Sequence, residues 1–323
     1  ALLWRLYQNG ELDSLGYKLA LDEHLPAGPK AMPSLAPHLL STLAEQHPRK
    51  SHFQTTLNPD WQRAVVKLLD KHLQRLKGNG IHNMGILVLE TQTGDVRAYA
   101  GNRRKAGRKD FAWQVDVVQG MRSTGSVLKP FLYAAMLGQG QLTPKMWVPD
   151  IPTVYAGFMP RNYNLGYDGV VPAHRALARS LNIPAVRMLK QYGVAPFHHK
   201  LKQMGLNGLD QPPSHYGLSL VLGGCEGSLW DLAGMYASMG RVLLHYSSQG
   251  GQYLHNDWHP PHVLQRPDKE GKPAQYTASP PLSAAALWFT LEALKDVERP
   301  ENEAHWRHFS STEPVAWKTG TSF

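Results

Sequence analysis

The sequence predicts an α+β fold in which an antiparallel sheet is flanked by helices, and three observations carry that reading. Residues 84–102 read as a hairpin, with Gly85-Ile86-Leu87-Val88-Leu89 and Val96-Arg97-Ala98-Tyr99-Ala100 flanking a Thr93-Gly94-Asp95 turn. Residues 314–321 read as a late strand. Apolar residues recur at helical spacing in four other stretches: 59–76, about 126–137, from about 229, and 282–297.

In order along the chain, residues 1–50 combine a helical pattern, the proline-rich stretch 25–37 and a short amphipathic piece, 39–45. They read as a linker or the tail of a preceding domain, with residues 51–323 forming the main domain. Asn58-Pro59 opens a helix in which Trp61, Val65, Leu68, Leu69, Leu73 and Leu76 recur until Gly78 and Gly80 end it. After the hairpin, Thr124 and Gly125 supply cap-type residues for a helix beginning at about Ser126 and ending at Gly138. Pro130 then falls in the first turn, where most amides lack an intrahelical partner. Residues 142–208 read as loop-rich with short helices. Residues 218–239 are apolar with glycine breaks and turn helical from about Leu229. Turn signals dominate 245–281, where Val263-Leu264-Gln265 is expected to pair with Gln275-Tyr276-Thr277.

With 323 residues, 42% of them hydrophobic, the chain can bury one substantial core and carry an appendage. No window approaches the roughly 20 apolar residues of a membrane span, and no signal peptide opens the chain. The start, Ala1-Leu2-Leu3-Trp4-Arg5, reads as the middle of something longer. A single cysteine, Cys225, excludes an internal disulfide and is assigned to packing. The formal charge of +9 points to an anionic neighbourhood. The densest basic run, residues 103–109, offers no aromatic to stack on bases, so it is read as a solvated loop and no nucleic acid is expected. His255, His259 and His262, and likewise His305 and His308, lack a carboxylate in a helical ligand motif, so neither a metal nor another cofactor is expected.

The chemistry is placed at Ser126. On a helix Ser126 and Lys129 share a face, so the amine can approach the hydroxyl and take its proton. A lysine is a poor base while protonated, but burial and the positive helix end favour its neutral form. A Ser-x-x-Lys spacing occurs about once by chance in a chain of this size, and two further segments decide the case. In Ser180-Leu181-Asn182, a locally extended loop would point Ser180 and Asn182 the same way and Leu181 into the core. Lys318-Thr319-Gly320-Thr321 lies on the late strand, where Gly320 leaves a substrate backbone room to add as another strand and Lys318 supplies positive charge.

These three motifs, in this order, resemble those of penicillin-binding proteins and serine β-lactamases. The resemblance extends to connecting sequence: Thr55-Thr56-Leu57 with Gln62 and Ala64, Lys129-Pro130-Phe131, Pro160-Arg161-Asn162-Tyr163, Gly169, Ile183-Pro184-Ala185-Val186, and Leu218 to Gly224. It covers about residues 51–323 and is most like the transpeptidase domain of class A, bifunctional penicillin-binding proteins, the 1C kind above all. The resemblance implies a β-lactamase/transpeptidase-like fold and a serine D,D-transpeptidase acting on the D-Ala-D-Ala end of peptidoglycan stem peptides. Ser126 would form the acyl-enzyme, Lys129 would be the base and Ser180 would relay a proton to the leaving group. Asn182 would hold Lys129 and the substrate amide, while Lys318 and Thr319 would meet the substrate carboxylate. The backbone amides of Ser126 and Thr321 would make the oxyanion hole, with Gly320 between. Implied partners are stem peptides, the lipid-linked precursor, β-lactam antibiotics and cell-wall synthesis proteins. The implied parent carries a glycosyltransferase and an N-terminal anchor to the periplasmic face of the bacterial inner membrane, neither of which is read in this chain. A D,D-carboxypeptidase, or a sensor domain acylated once by a β-lactam, uses the same residues. No Glu-x-x-Leu-Asn sequence of the kind used by class A β-lactamases is present, so β-lactam hydrolysis is expected to be slow. The family's sheet continues past Lys-Thr-Gly for further strands and a helix. With the sequence stopping at Phe323, the strand around Lys318 is expected to be frayed and the Ser126 to Lys318 constellation loosened.

Overall fold

The computed structural model describes residues 2–23, 34–103, 111–266, 274–296 and 314–321. The basic run from residue 104 onward, with His305 and His308, lies outside the described residues. Contacts divide the chain into two compact units, residues 1–35 and 36–323. In the first, α1 (Leu2–Gln8) and α2 (Ser14–Asp22) pack through aromatic rings, Tyr7 stacking on Tyr17 at 5.1 Å. Asp13 caps α2 by accepting the Gly16 N–H.

The second unit opens with α3 (Pro37–Gln46) and α4 (Pro59–Leu76). Asn58 caps α4, its side-chain oxygen accepting the amides of Asp60 and Trp61. The expected hairpin forms as β1 (Ile86–Leu89) and β2 (Val96–Ala100), antiparallel, with a bulge at Val88/Leu89 and the turn closed from Gly94 N–H to Glu90 O at 2.8 Å. Its alternation sorts the two faces. Ile86 and Val88 pack with Ala98 and Ala100 against Val65, Leu69 and Leu73 of α4, while Leu87 and Leu89 join Val96 and Tyr99 against Leu39 and Leu43 of α3. Buried Gln62 acts as a short stand-in strand, donating to Tyr99 O and accepting from Tyr99 N–H, both at 2.8 Å.

The helix expected at Ser126 begins as a 3₁₀ turn, Gly125–Leu128, and becomes α5 (Lys129–Gly138) with Pro130 in its first turn. Thr124 does not cap it; Thr124 has helical backbone angles, and its hydroxyl goes to Cys225 O instead. Every residue of α5 from Lys129 to Met136 is buried, so this is an interior helix surrounded by core. A two-residue ladder, β3 (Arg122–Ser123) with β6 (Glu226–Gly227), holds the entry to that turn.

The region read as loop-rich contains more order than expected. A second hairpin, β4 (Trp147–Asp150) with β5 (Gly169–Pro172), precedes α6 (Ala173–Ala178), α7 (Asn182–Tyr192) and α8 (Val194–Gln203). Then come α9 (Pro213–Tyr216), α10 (Leu229–Ser248) and α11 (Ala284–Lys295), the last two where periodicity places them. The expected pairing of Val263–Gln265 with Gln275–Thr277 is wrong. Leu264 bridges to Thr55 and His262 to Asp95, widening the first sheet, while β8 (Tyr276–Thr277) pairs with β7 (Tyr253–Leu254). Cys225 is buried in the main core, as its assignment to packing expects.

Candidate active site

Lys129 is the one charged residue of α5, and it stands at the helix's first position with only 2% of its surface exposed. Burying an ammonium in such a place is costly, which favours the neutral amine. Burial first, and the nearby Lys318 charge second, hold the Lys129 amine far below the ordinary lysine range. Its Nζ donates to Asn182 Oδ1 at 2.6 Å and to the backbone oxygen of Ser180 at 2.7 Å, with Ser180 Oγ at 3.4 Å. The Ser180–Asn182 pair therefore converges on Lys129, though by a different backbone from the expected extended loop. Ser180 is left-handed at φ +56, Leu181 is buried, and Asn182 is the first residue of α7. A left-handed non-glycine residue stores about 1–3 kcal/mol of strain and persists only where its surroundings enforce it.

Ser126 sits one turn before Lys129 and partly exposed. Among the described contacts no hydrogen bond joins its hydroxyl to the Lys129 amine; the link between the two is backbone, the Lys129 N–H donating to Ser126 O. The turn is braced from three sides. Tyr236 OH on α10 donates to Val127 O at 2.8 Å, Ser123 Oγ donates to Gly223 O at 2.8 Å, and Thr124 N–H donates to Cys225 O at 3.1 Å.

Residues 314–321 carry no strand ladder among the described residues, which corrects the strand reading; Trp317 N–H donates to Leu294 O on α11 at 3.3 Å, and Gly320 and Thr321 approach the nucleophile turn. Gly320 lies so close to Val127 that a Cβ there would come within 2.7 Å of its side chain, and Thr321's backbone abuts Gly125. Against the expected loosening, Lys318 stays within hydrogen-bond reach of Ser180, although no described hydrogen bond ties the Ser126 hydroxyl to either lysine. Lys318 Nζ donates to Ser180 Oγ at 2.8 Å and to Thr319 O at 2.6 Å. Burial lowers Lys318 to about 8. Ser180 Oγ thus lies between two amines, Lys129 held well below the ordinary lysine range and Lys318 at about 8. Such an arrangement can accept a proton at Lys129, pass one through Ser180, and hold an anion beside Lys318. His259 and His262 lie elsewhere, stacked on each other at 4.4 Å, and among the described residues no cluster of His, Cys, Asp or Glu is grouped to hold a metal.

Sequence reasoning missed two residues behind this constellation. Buried Asn162 accepts the Asn182 N–H at 2.9 Å and donates to Asp150 Oδ1 at 2.8 Å. The signal available is Pro160-Arg161-Asn162-Tyr163, part of the connecting sequence that carries the resemblance.

The family model of the penicillin-binding protein transpeptidase domain matches residues 84–323, which include all three motifs. The chain belongs to the penicillin-binding protein transpeptidase family. Penicillin-binding protein 1C of Escherichia coli (strain K12) is 30% identical over 306 residues, covering 95% of this chain and 36% of that protein. The chain therefore spans little more than a third of that relative's length. The structure of the penicillin-binding protein PonA1 from Mycobacterium tuberculosis aligns with a TM-score of 0.59 at 22% identity, over 81% of this chain and 68% of that one. PonA1 in complex with penicillin V aligns with the same TM-score at 21% identity, over 81% and 69%. At those identities the solved structures establish the fold of the transpeptidase domain, α+β and β-lactamase-like. Family membership makes the domain a serine acyltransferase-type, β-lactam-binding enzyme of cell-wall synthesis.

Proposed function

We propose that this domain is a serine D,D-transpeptidase that cross-links peptidoglycan stem peptides through an acyl-enzyme on Ser126. The observation that carries the reading is the buried Lys129 amine, bracketed by Ser180 and Asn182 with Lys318 on the far side of Ser180. Ser126 Oγ attacks the carbonyl carbon of the penultimate D-Ala while its proton passes to Lys129 Nζ. The C–N bond to the terminal D-Ala breaks, and that D-Ala leaves as a free amine after taking a proton relayed through Ser180. An ester remains on Ser126. An amine from a neighbouring stem peptide then attacks the ester, forming the new amide and returning the proton to Ser126 Oγ.

Lys318 and Thr319 hold the substrate's terminal carboxylate, Asn182 orients its amide, and the backbone amides of Ser126 and Thr321 receive the developing oxyanion. A β-lactam enters the same route and stops at the ester, because its leaving group stays tethered. By the same reading the domain is part of a longer protein with a peptidoglycan glycosyltransferase and a membrane anchor at the periplasmic face. The support for that extension is the resemblance together with the 36% share of the E. coli relative that the chain covers. Incubation with a D-Ala-D-Ala peptide, with and without an acceptor amine, tests the reaction. Release of D-Ala coupled to a new amide supports transfer, whereas release giving only the free acid marks a carboxypeptidase.

A further inference from the structure

Asp150 and Asn162 do not touch Lys129, yet both are buried, at 1% and 3% exposure. Asp150 is the last residue of β4, paired with Gly169 at the start of β5, and two arms leave its carboxylate. On the first arm, Oδ1 accepts Asn162 Nδ2 at 2.8 Å, and Asn162 Oδ1 accepts the backbone amides of Asn182 at 2.9 Å and Ile183 at 3.3 Å. Asn162 thereby caps α7 from a distant loop, because the residue in the cap position, Leu181, has no side chain able to do so. On the second arm, Oδ2 accepts the Asp168 N–H at 3.0 Å, and the Asp168 carboxylate pairs with Arg179. Arg179 and Asn182 are the two flanks of Ser180-Leu181. One buried carboxylate therefore grips both sides of the left-handed turn whose polar groups meet Lys129. The grip is reinforced where Asn182 Nδ2 donates to Arg161 O at 2.7 Å and Asn162 Nδ2 donates to Gly166 O at 3.0 Å.

We propose that Asp150 and Asn162 are positioning residues for the acylation reaction, fixing where Ser180 Oγ and Asn182 Oδ1 stand relative to Lys129. The inference rests on the reading of Lys129 as the base. Its physical ground is that the Asp150–Asn162–Asn182 arm is a hydrogen-bond chain built on two buried side chains with donors and acceptors matched, which permits one arrangement of the turn, whereas a half-matched chain does not. The Asp168–Arg179 arm is solvent-accessible and adds less. A purely structural role would lower stability and leave the chemistry of the folded molecules alone.

The test is stopped-flow acylation of the intact protein by a fluorescent penicillin, separating the dissociation constant of the initial complex from the acylation rate constant across pH. In Asn162→Ala we expect the rate constant to fall by about 10²-fold, the effect of an ångström-scale misplacement, while initial binding holds. We also expect the rising limb of the pH profile to move to higher pH, because a loosened α7 start readmits water to Lys129; Lys318, the charged group that faces it, keeps its charge. Asp150→Asn turns an acceptor into a donor facing the Asn162 amide or the Asp168 N–H, and should slow acylation similarly. The exchanged pair Asp150→Asn with Asn162→Asp restores the donor–acceptor order except at Gly166 O, and should recover part of the lost rate. An Asn162→Ala protein that acylates at the parental rate and pH, or an exchanged pair as slow as the product of both single losses, would overturn the proposal. Should Asn162→Ala fail to fold, Asp150→Asn and the exchanged pair decide it. A parent protein that takes no label at all would refute the acyl-enzyme reading, and near-parental acylation in Lys129→Ala the base assignment, which keeps those failures apart from this one.

Discussion

Gly125→Ala tests the junction between the nucleophile turn and the Lys318–Thr321 segment. Gly125 has φ +53, and a Cβ built there would stand 2.6 Å from Thr321 O, 2.9 Å from Thr321 N and 3.0 Å from Thr321 C. These are backbone atoms and cannot rotate away. From 2.6 Å to the 3.4 Å of an ordinary contact, Thr321 O must retreat by about 0.8 Å. That motion carries with it the Thr321 amide assigned to the oxyanion. Removing one such donor costs about 10²- to 10³-fold in rate, and a shift approaching 1 Å costs about 10²-fold, so acylation should slow by about two orders of magnitude. Alanine in the left-handed region adds a stability cost of about 1–2 kcal/mol. Stopped-flow labelling with a fluorescent penicillin, beside a melting curve, measures both. Acylation within a few-fold of the parent in a folded Gly125→Ala protein would refute the placement of Thr321 against the nucleophile turn.

Further outcomes follow from the same geometry. Lys129→Ala should lower the acylation rate constant by about 10² to 10⁴, the usual worth of general-base help, while Lys318→Ala changes the melting temperature far less; near-parental acylation in Lys129→Ala would exclude the base role. Because Lys318 titrates at about 8, acylation efficiency should decline as pH rises through that value and the cation is lost, and Lys318→Arg, which stays charged, should remove the decline. Stability moves the other way. The folded pKa of about 8 lies below the ordinary 10.5, so the buried charge weakens folding below pH 8 and that cost is relieved between pH 8 and 10.5, visible as a melting temperature rising in the parent relative to Lys318→Met. Asn58→Ala, which leaves the amides of Asp60 and Trp61 uncapped, should cost about 1 kcal/mol in denaturant titration and leave acylation unchanged.

What could be read from the sequence was local. The β1–β2 hairpin, α4, α10 and α11 each advertise themselves by a period and a turn or cap inside one short window. The β4–β5 hairpin was hidden because Trp147-Val148-Pro149-Asp150 carries a proline and an aspartate, both depleted in strands. The Leu264 to Thr55 bridge could not be read because pairing between distant segments leaves no local mark. At the site, the motifs identify Ser126, Lys129, Ser180, Asn182 and Lys318 as a set, and the structure brings the last four together. The left-handed Ser180 could not be read, since serine has no intrinsic reason to adopt φ +56; it does so under the hold of Arg179 and Asn182. The expected fraying around Lys318 agrees with the missing strand ladder at 314–321, but the segment does not lose its place altogether. Gly320 and Thr321 instead pack directly on Thr124–Val127, where a missing side chain lets backbone approach backbone.

The central claim is that Ser126 is the acylated nucleophile, and intact mass spectrometry with peptide mapping after incubation with a labelled penicillin tests it most directly. One adduct per chain on the peptide containing Ser126, absent from Ser126→Ala, is the predicted result. An adduct on another residue, or covalent labelling that persists in Ser126→Ala, would contradict the mechanism.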